Sequence, residues 1–111
     1  MAAPTHVSVT IPAGQAVSSS VDLTSKAMVT LMVPATWTPA NISFLASYDD
    51  VNFYDLFDPA GVEVLKPVGP GRAVIIDPEM TQAALYVKIR SGPRAGPVIQ
   101  QSDCVLNLVL M

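Results

Sequence analysis

Hydrophobic and polar residues alternate most regularly between Trp37 and Val64, in the run WTPANISFLASYDDVNFYDLFDPAGVEV. Successive side chains of a β-strand point to opposite faces, so a two-residue period predicts a half-buried strand. The period holds over residues 42–48, and the acidic pair Asp49–Asp50 then turns the chain. A second alternating stretch follows and is broken by Pro, Ala and Gly at 59–61. The segment therefore predicts two strands joined by a reversal.

The same period recurs along the rest of the chain. It predicts further strands at about 7–11, 15–23, 26–33, 72–76, 85–90 and 106–110, separated by turns rich in Pro and Gly. Only residues 77–79 indicate a helix start, with Asp77 as the N-cap and Pro78 in the first helical position. The expected fold class is therefore all-β: an antiparallel β-sandwich, jelly-roll-like, of eight or nine short strands with at most one short helical turn.

One domain accommodates the 111 residues. We expect residues 7–111 to form this single β-sandwich domain and residues 1–6 to be flexible or ordered by a partner. The predicted strand at 26–33 is unusual because Met28 and Met32 lie on the face opposite Leu31 and Val33. Apolar residues on both faces predict a central strand or one that a partner covers.

The number and sign of the charged residues limit the classes of partner that the protein is expected to bind. Only 14% of the residues are charged, and the net charge is −3. Nucleic-acid binding needs clustered cations, and six scattered Lys and Arg residues do not supply them. A surface with few charges loses less hydration when it is covered by another protein, which predicts protein partners.

The single cysteine, Cys104, excludes an intramolecular disulfide and lies in an apolar run, which predicts a buried thiol and a reducing compartment. The first residues, MAAPTHVSV, lack the basic and apolar regions of a secretory signal, so none is expected. The longest apolar stretches, near 27–35 and 105–111, are shorter than the roughly 20 residues that span a bilayer, so no membrane association is expected.

Candidate chemistry is sparse. Five residues between Asp49 and Asp58 form a dense acidic and amide group, which indicates either turn chemistry or an oxygen-ligand site for a cation such as calcium. The spacing does not match an EF-hand loop, and turn chemistry is the favoured interpretation. His6 is the sole histidine and lies near the start of the chain, so the sequence does not indicate the nucleophile, histidine and acid of a hydrolase triad. No catalytic residue, cofactor or metal is therefore predicted.

Several chain segments resemble small proteins from the structural gene clusters of tailed phages and prophages. The resemblance rests on TIPAGQ, AVIIDP, LYVKIRSGP and PVIQ together with the 37–64 segment, and it covers about residues 9–110. It implies a β-sandwich component of the virion, made in the host cytoplasm, and no catalysis. One departure is Asp50, where the turn pattern has glycine after the aspartate. The middle segment also resembles discoidin-type sugar-binding sandwiches.

The sequence thus predicts a non-enzymatic phage virion structural protein. It is expected to assemble on the head, as a decoration, spike-base or minor capsid component, through contacts with its own copies and with other virion proteins of the capsid or connector. The predicted interface residues are Trp37, Tyr54, Met28 and Met32. Two alternatives stay open: a discoidin-like carbohydrate-binding module that uses exposed aromatic residues for a surface glycan, and a tail or connector component.

Overall fold

The structure is a computed structural model that describes residues 4–78 and 84–111. It contains nine β-strands: β1 Thr5–Ile11, β2 Val21–Asp22, β3 Met28–Met32, β4 Ile42–Ser47, β5 Tyr54–Asp55, β6 Leu65–Lys66, β7 Ala73–Ile75, β8 Tyr86–Ser91 and β9 Cys104–Leu110. Pro78, the predicted first residue of a helical turn, has 3₁₀ geometry, and Glu79 lies outside the described residues. The predicted fold class, an all-β antiparallel sandwich, is confirmed.

The strands form two antiparallel sheets. Sheet A has the order β1-β9-β3-β7, and sheet B has the order β2-β8-β4-β5, with β6 also pairing with β4. The pairs β1 with β9, β2 with β8, β3 with β7, and β4 with β5 and β6 are nested along the chain. This nesting is the winding of a jelly roll, in which a long hairpin wraps so that its successive strand pairs fall in alternate sheets.

The core lies between the two sheets and follows from the alternation. Ile42 and Phe44 of β4 and Val87 and Ile89 of β8 are buried beneath sheet B. Sheet A contributes Leu106, Leu108 and Leu110 of β9, together with residues of β1 and β3. Cys104 is also buried, as predicted from its apolar neighbours.

The N-terminal boundary differs from the predicted one. β1 begins at Thr5, and Thr5 and His6 pair with Leu110 and Val109 of β9. These two residues therefore belong to the sheet rather than to a separate N-terminal segment. Residues 1–3 lie outside the described part of the chain. No helix among the described residues is long and apolar enough to cross a membrane.

Candidate interaction surface

The outer faces of the two sheets differ in charge. The four strands of sheet A contain no Asp, Glu, Lys or Arg, and the structure describes every residue of them. The strands of sheet B carry Asp22, Asp55, Lys66, Lys88 and Arg90. Sheet A therefore presents an uncharged surface on a molecule that is acidic overall.

The strand period and the pairing register identify the side chains on this surface. Leu106 and Leu108 of β9 are buried, so Val105, Asn107 and Val109 point outwards. Residues paired directly across neighbouring strands share a face with them. We call this surface the neutral face, and it consists of His6, Ser8, Thr10, Thr30, Met32, Ala73, Ile75, Val105, Asn107 and Val109.

Apolar side chains on the neutral face are open to solvent. Ile75 is 78% exposed, and Met32 and Val105 are exposed as well. Burying apolar area is favourable, and hydroxyl and amide groups cost far less to bury than ionised groups. The neutral face therefore suits contact with another protein surface.

A small hydrogen-bonded group lies on the neutral face. His6 Nε2 is 2.8 Å from Asn107 Oδ1, and Ser8 Oγ donates to the same oxygen at 2.8 Å. Ser8 Oγ is 3.3 Å from that same His6 nitrogen. A hydrolytic triad needs one ring nitrogen on the hydroxyl and the other held by the third group. Because one nitrogen makes both contacts here, the group links β1 to β9 and is not arranged as a nucleophile and its base.

Charged residues lie at the ends of the sheet A strands. Lys26 Nζ donates to Thr5 Oγ1 over 3.1 Å at the start of β1. Asp103 Oδ1 accepts a hydrogen bond of 2.8 Å from Ala13 N, just beyond the other end of β1. Exposed charges of both signs thus lie at the two ends of β1, outside the neutral face.

The outer side of sheet B carries an ion-pair network instead. Arg90 of β8 is 7% exposed, and its guanidinium binds Asp55 Oδ1 at 2.7 Å and Glu63 Oε2 at 3.1 Å. Its Nε donates to Ser43 Oγ at 2.9 Å. Arg94 Nε adds a contact of 3.1 Å with Asp55 Oδ2. Hydrogen bonding from Arg90 lowers the pKa of Asp55, and burial opposes this shift only in part.

A tight glycine turn brings Arg94 into this network. Gly92 has a φ of +87°, and a Cβ atom there would lie 2.8 Å from Gly96 O and from Val98 N. Only glycine fits this backbone. The turn lets Arg94 N donate to Glu63 Oε2 over 2.8 Å. Glu63 Oε2 therefore accepts hydrogen bonds from both Arg90 and Arg94.

In the acidic turn after β4, both carboxylate oxygens of Asp49 accept hydrogen bonds. Asp49 Oδ1 accepts from the backbone N–H groups of Val51 and Asn52 at 3.0 and 2.9 Å, and Asp49 Oδ2 accepts from Asn52 Nδ2 at 2.9 Å. The N–H donors of Asn52 and Val51 hold the pKa of Asp49 well below its usual range. Within residues 4–78 and 84–111, no group of three His, Cys, Asp or Glu side chains is placed to hold a metal ion. The geometry is that of an Asx-type turn.

The four predicted interface residues divide into two pairs. Tyr54 and Met32 are exposed, and Met32 belongs to the neutral face. Trp37 and Met28 are buried in the core, and Trp37 Nε1 donates to Ala40 O at 3.3 Å. Their side chains therefore do not reach the surface of the chain.

A β-bulge explains the position of Met28. The pairing of β3 with β9 shifts between Met28 and Thr30, so that Met28 pairs with Leu110 and Leu31 pairs with Leu108. The extra residue changes the parity of the strand. Met28 and Leu31 therefore both face the core, and the sequence prediction that Met28 and Met32 share a face was wrong.

Aromatic side chains outside the core lie along sheet B. Tyr48 and Tyr54 are exposed, and Tyr54 pairs with Ala46, two residues before Tyr48. Phe53 and Phe57 are partly covered by cations: Lys88 Nζ lies 4.4 Å from the Phe53 ring centre and Arg94 Cζ lies 5.8 Å from that of Phe57.

The neutral face is not evident from the amino-acid sequence. Each of its strands is short of charge, but the sequence does not tell which strands pair, and the face exists only because β1, β9, β3 and β7 are neighbours. Searches against protein-family models, curated proteins and solved structures found no match.

Proposed function

We propose that this chain is a non-enzymatic structural protein of a phage virion that docks through the neutral face of sheet A. It assembles on the head, as a decoration, spike-base or minor capsid component, and contacts its own copies and other virion proteins. The proposal follows the resemblance of the chain to phage structural proteins, and the neutral face is the observation that carries it.

Charge asymmetry supports docking through one particular side. A partner that covers the neutral face displaces water from Ile75, Met32 and Val105 without burying an ionised group. A partner on the opposite side would have to cover Lys88 and the carboxylates around Arg90. The difference in desolvation cost favours the neutral face as the contact.

The fold is compatible with this proposal by analogy. Jelly rolls occur in viral capsid proteins and in lectins. A fold hosts many functions, so the analogy does not separate the virion protein from the carbohydrate-binding module. The two functions are distinguished by which side chains the surface of the sandwich exposes.

A matched pair of substitutions tests the docking side. Ile75→Glu places a charge on the neutral face, and Val51→Glu places the same charge in the turn between β4 and β5. Ile75 and Val51 are 78% and 77% exposed, so the two variants are equivalent in exposure. The probe is a preparation of particles from the phage or prophage that encodes the chain, grown without this protein, and the readout is cosedimentation.

The expected result is that wild type and Val51→Glu cosediment with the particles and Ile75→Glu binds at least tenfold more weakly. Retained binding of Ile75→Glu with loss for Val51→Glu would place the contact on the other side. No binding by the wild-type protein would overturn the virion assignment.

A carbohydrate-binding module is the second candidate, because Tyr48 and Tyr54 are both exposed and Tyr54 pairs with Ala46, two residues before Tyr48. Aromatic faces stack on sugar rings, and Tyr54→Ala should then abolish retention on a glycan array. Trp37 is buried, so quenching of its fluorescence does not report on this site. A protein that binds no glycan on the array would remove this candidate.

A further inference from the structure

As far as residues 4–78 and 84–111 show, the two sheets have four outer edges, and only one of them is long. Sheet B ends in β2 and β5, which have two residues each, and sheet A ends in the three-residue β7 and the seven-residue β1. Very short edge strands are one way in which proteins prevent pairing with other chains. The edges at β2, β5 and β7 are blunted in this way, and β1 is not.

β1 also lacks the other protective features of edge strands. Its residues, THVSVTI, include no Lys or other charged side chain, no Pro and no Gly, and its register with β9 is continuous without a bulge. In the described part of the chain β1 pairs with β9 alone. The edge of β1 that faces away from β9 therefore carries backbone N–H and C=O groups that can pair with the strand of another chain.

The charges beside β1 indicate which strand it accepts. Lys26 is held at the first residue of β1 through Thr5 Oγ1, and Asp103 is held just past the last residue through Ala13 N. Two copies of β1 that pair antiparallel about a two-fold axis bring the start of each strand to the end of the other. Lys26 of each copy then lies at the same end of the contact as Asp103 of the other, so each end of the contact carries opposite charges.

We propose that two copies of this chain pair through their β1 edges, antiparallel and centred on Ser8, to form one eight-stranded sheet from the two sheets A. The inference deepens the proposed function, of which assembly between copies is a part, by naming the contact between those copies. Because the test uses free protein without particles, it can fail while docking through the neutral face holds, and the reverse.

The side chains of β1 fit this arrangement. In the register centred on Ser8, Thr5 pairs with Ile11 of the other copy and Val7 pairs with Val9. Val7 is half-buried in the single chain and packs at the margin of the core. Pairing of the two copies would bury the rest of its side chain. His6, Ser8 and Thr10 stay on the outside, and the two neutral faces become one uncharged surface of twice the area.

The doubled area matters for docking. Four strands of three to seven residues, at about 4.8 Å spacing and about 3.3 Å rise per residue, give the neutral face an area of only about 350 Å². A stable interface buries about 800 Å² on each partner. The neutral face of one copy is therefore too small for a stable interface, whereas the joined faces of two copies come close to the required area.

Charge exchange tests the contact by sedimentation velocity of the purified protein over a range of concentrations. Lys26→Glu and Asp103→Lys each replace two attractions by two repulsions, and each should raise the dimer dissociation constant about tenfold. The double variant restores the opposite charges and should return it to within about threefold of wild type. Arg72→Glu makes the same change of charge at the opposite edge of sheet A and should have no effect.

Cysteine crosslinking tests the register. Paired Cα atoms across antiparallel strands lie about 4.5–5.5 Å apart, within disulfide range. Ser8→Cys should therefore give a crosslinked dimer under diamide oxidation. Asn107→Cys, one strand further in, is about 14 Å from its counterpart in this arrangement and should not crosslink.

Wild-type protein that sediments as a monomer at every concentration would overturn the proposal. So would a dimer in which Asn107→Cys crosslinks and Ser8→Cys does not, since that result places the two copies face to face. Equal weakening by Lys26→Glu and Arg72→Glu would also overturn it, because the effect would then come from net charge alone. Circular dichroism of each variant confirms that the fold is retained.

Discussion

At the scale of single residues, Arg90 holds the segment that follows β4 against sheet B. It is the only charged residue among the buried ones in the described part of the chain, and it joins Asp55 of β5 to Glu63, which precedes β6. Ser43 connects β4 to the same network, because its Oγ accepts a hydrogen bond from Arg90 Nε at 2.9 Å. The same Oγ donates to Gly92 O at 2.6 Å. A buried cation with two carboxylates and a hydroxyl has its hydrogen-bonding groups satisfied.

Removing the Arg90 guanidinium should therefore be costly. Arg90→Met leaves two carboxylates near each other without their cation, and we expect the free energy of unfolding to fall by about 3 kcal/mol. Arg94→Met is the matched control, since the Arg94 side chain is 54% exposed and its pair is expected to contribute below about 1 kcal/mol. Urea titration of both variants gives the comparison, and equal losses would contradict this role of Arg90.

The same network gives the protein a dependence on acid. The folded pKa of Asp55 lies below its unfolded value because Arg90 hydrogen-bonds its charged form. The carboxylate therefore contributes stability that is fully present above the unfolded pKa, about 4, and is lost as the pH falls through the folded value. Asp49 acts in the same direction through its backbone N–H donors.

We expect the urea midpoint to be constant near neutral pH and to fall once the pH drops below about 4. Asp55→Asn should lower the midpoint at pH 7 and make the fall with acid shallower, since one of the groups that titrates between folded and unfolded chain is gone. A variant with the full acid dependence of wild type would show that Asp55 does not contribute to it.

At the scale of elements, the turn between β4 and β5 shows how a departure from a sequence pattern is accommodated. Asp50 has a φ of 61°, the left-handed conformation that glycine adopts most easily. Aspartate tolerates this region better than most residues. The backbone therefore has the shape that an Asp-Gly turn would have.

This geometry predicts that Asp50→Gly is tolerated and leaves the free energy of unfolding unchanged or higher by up to about 1 kcal/mol. Asp50→Val, whose branched side chain is strained at positive φ, should lower it by about 1–2 kcal/mol. Thermal unfolding of the two variants is the measurement. Equal effects of Gly and Val would mean that the turn does not hold this conformation.

Elements also show what the sequence could and could not predict. The alternation in β9 matches the burial of its residues along the whole strand. In β4 and β8 it predicted the core residues Ile42, Phe44, Val87 and Ile89, but Ser43 and Ser47 of the opposite parity are buried as well. β3 has the same kind of pattern, but its bulge reverses the direction of Met28. Trp37, in the segment between β3 and β4, packs inward with its N–H bonded to Ala40 O, which no period in the sequence signals. Arg90 alternates as an outward residue and is nevertheless buried, since the segment from Asp55 to Glu63 covers it.

At the scale of the whole molecule, the sandwich has one uncharged outer side and one charged outer side. That difference depends on the order of the strands in the sheets, which composition and periodicity do not contain. The low overall charge predicted protein partners without a location for their contact, and only the pairing of β1, β9, β3 and β7 brings together the uncharged surface at which we propose that they bind. Weak contacts on such a surface suffice when many copies bind a symmetric particle.

A cryo-electron microscopy reconstruction of a particle that carries this protein would show which side of the sandwich is covered. We expect density for the sandwich on the particle, with the neutral face of sheet A covered by a neighbouring subunit and with Lys88, Arg94 and Asp49 of the other side turned to solvent. A particle without this density, or a sandwich that contacts its neighbour through sheet B while Ile75 and Met32 face water, would contradict the proposed function.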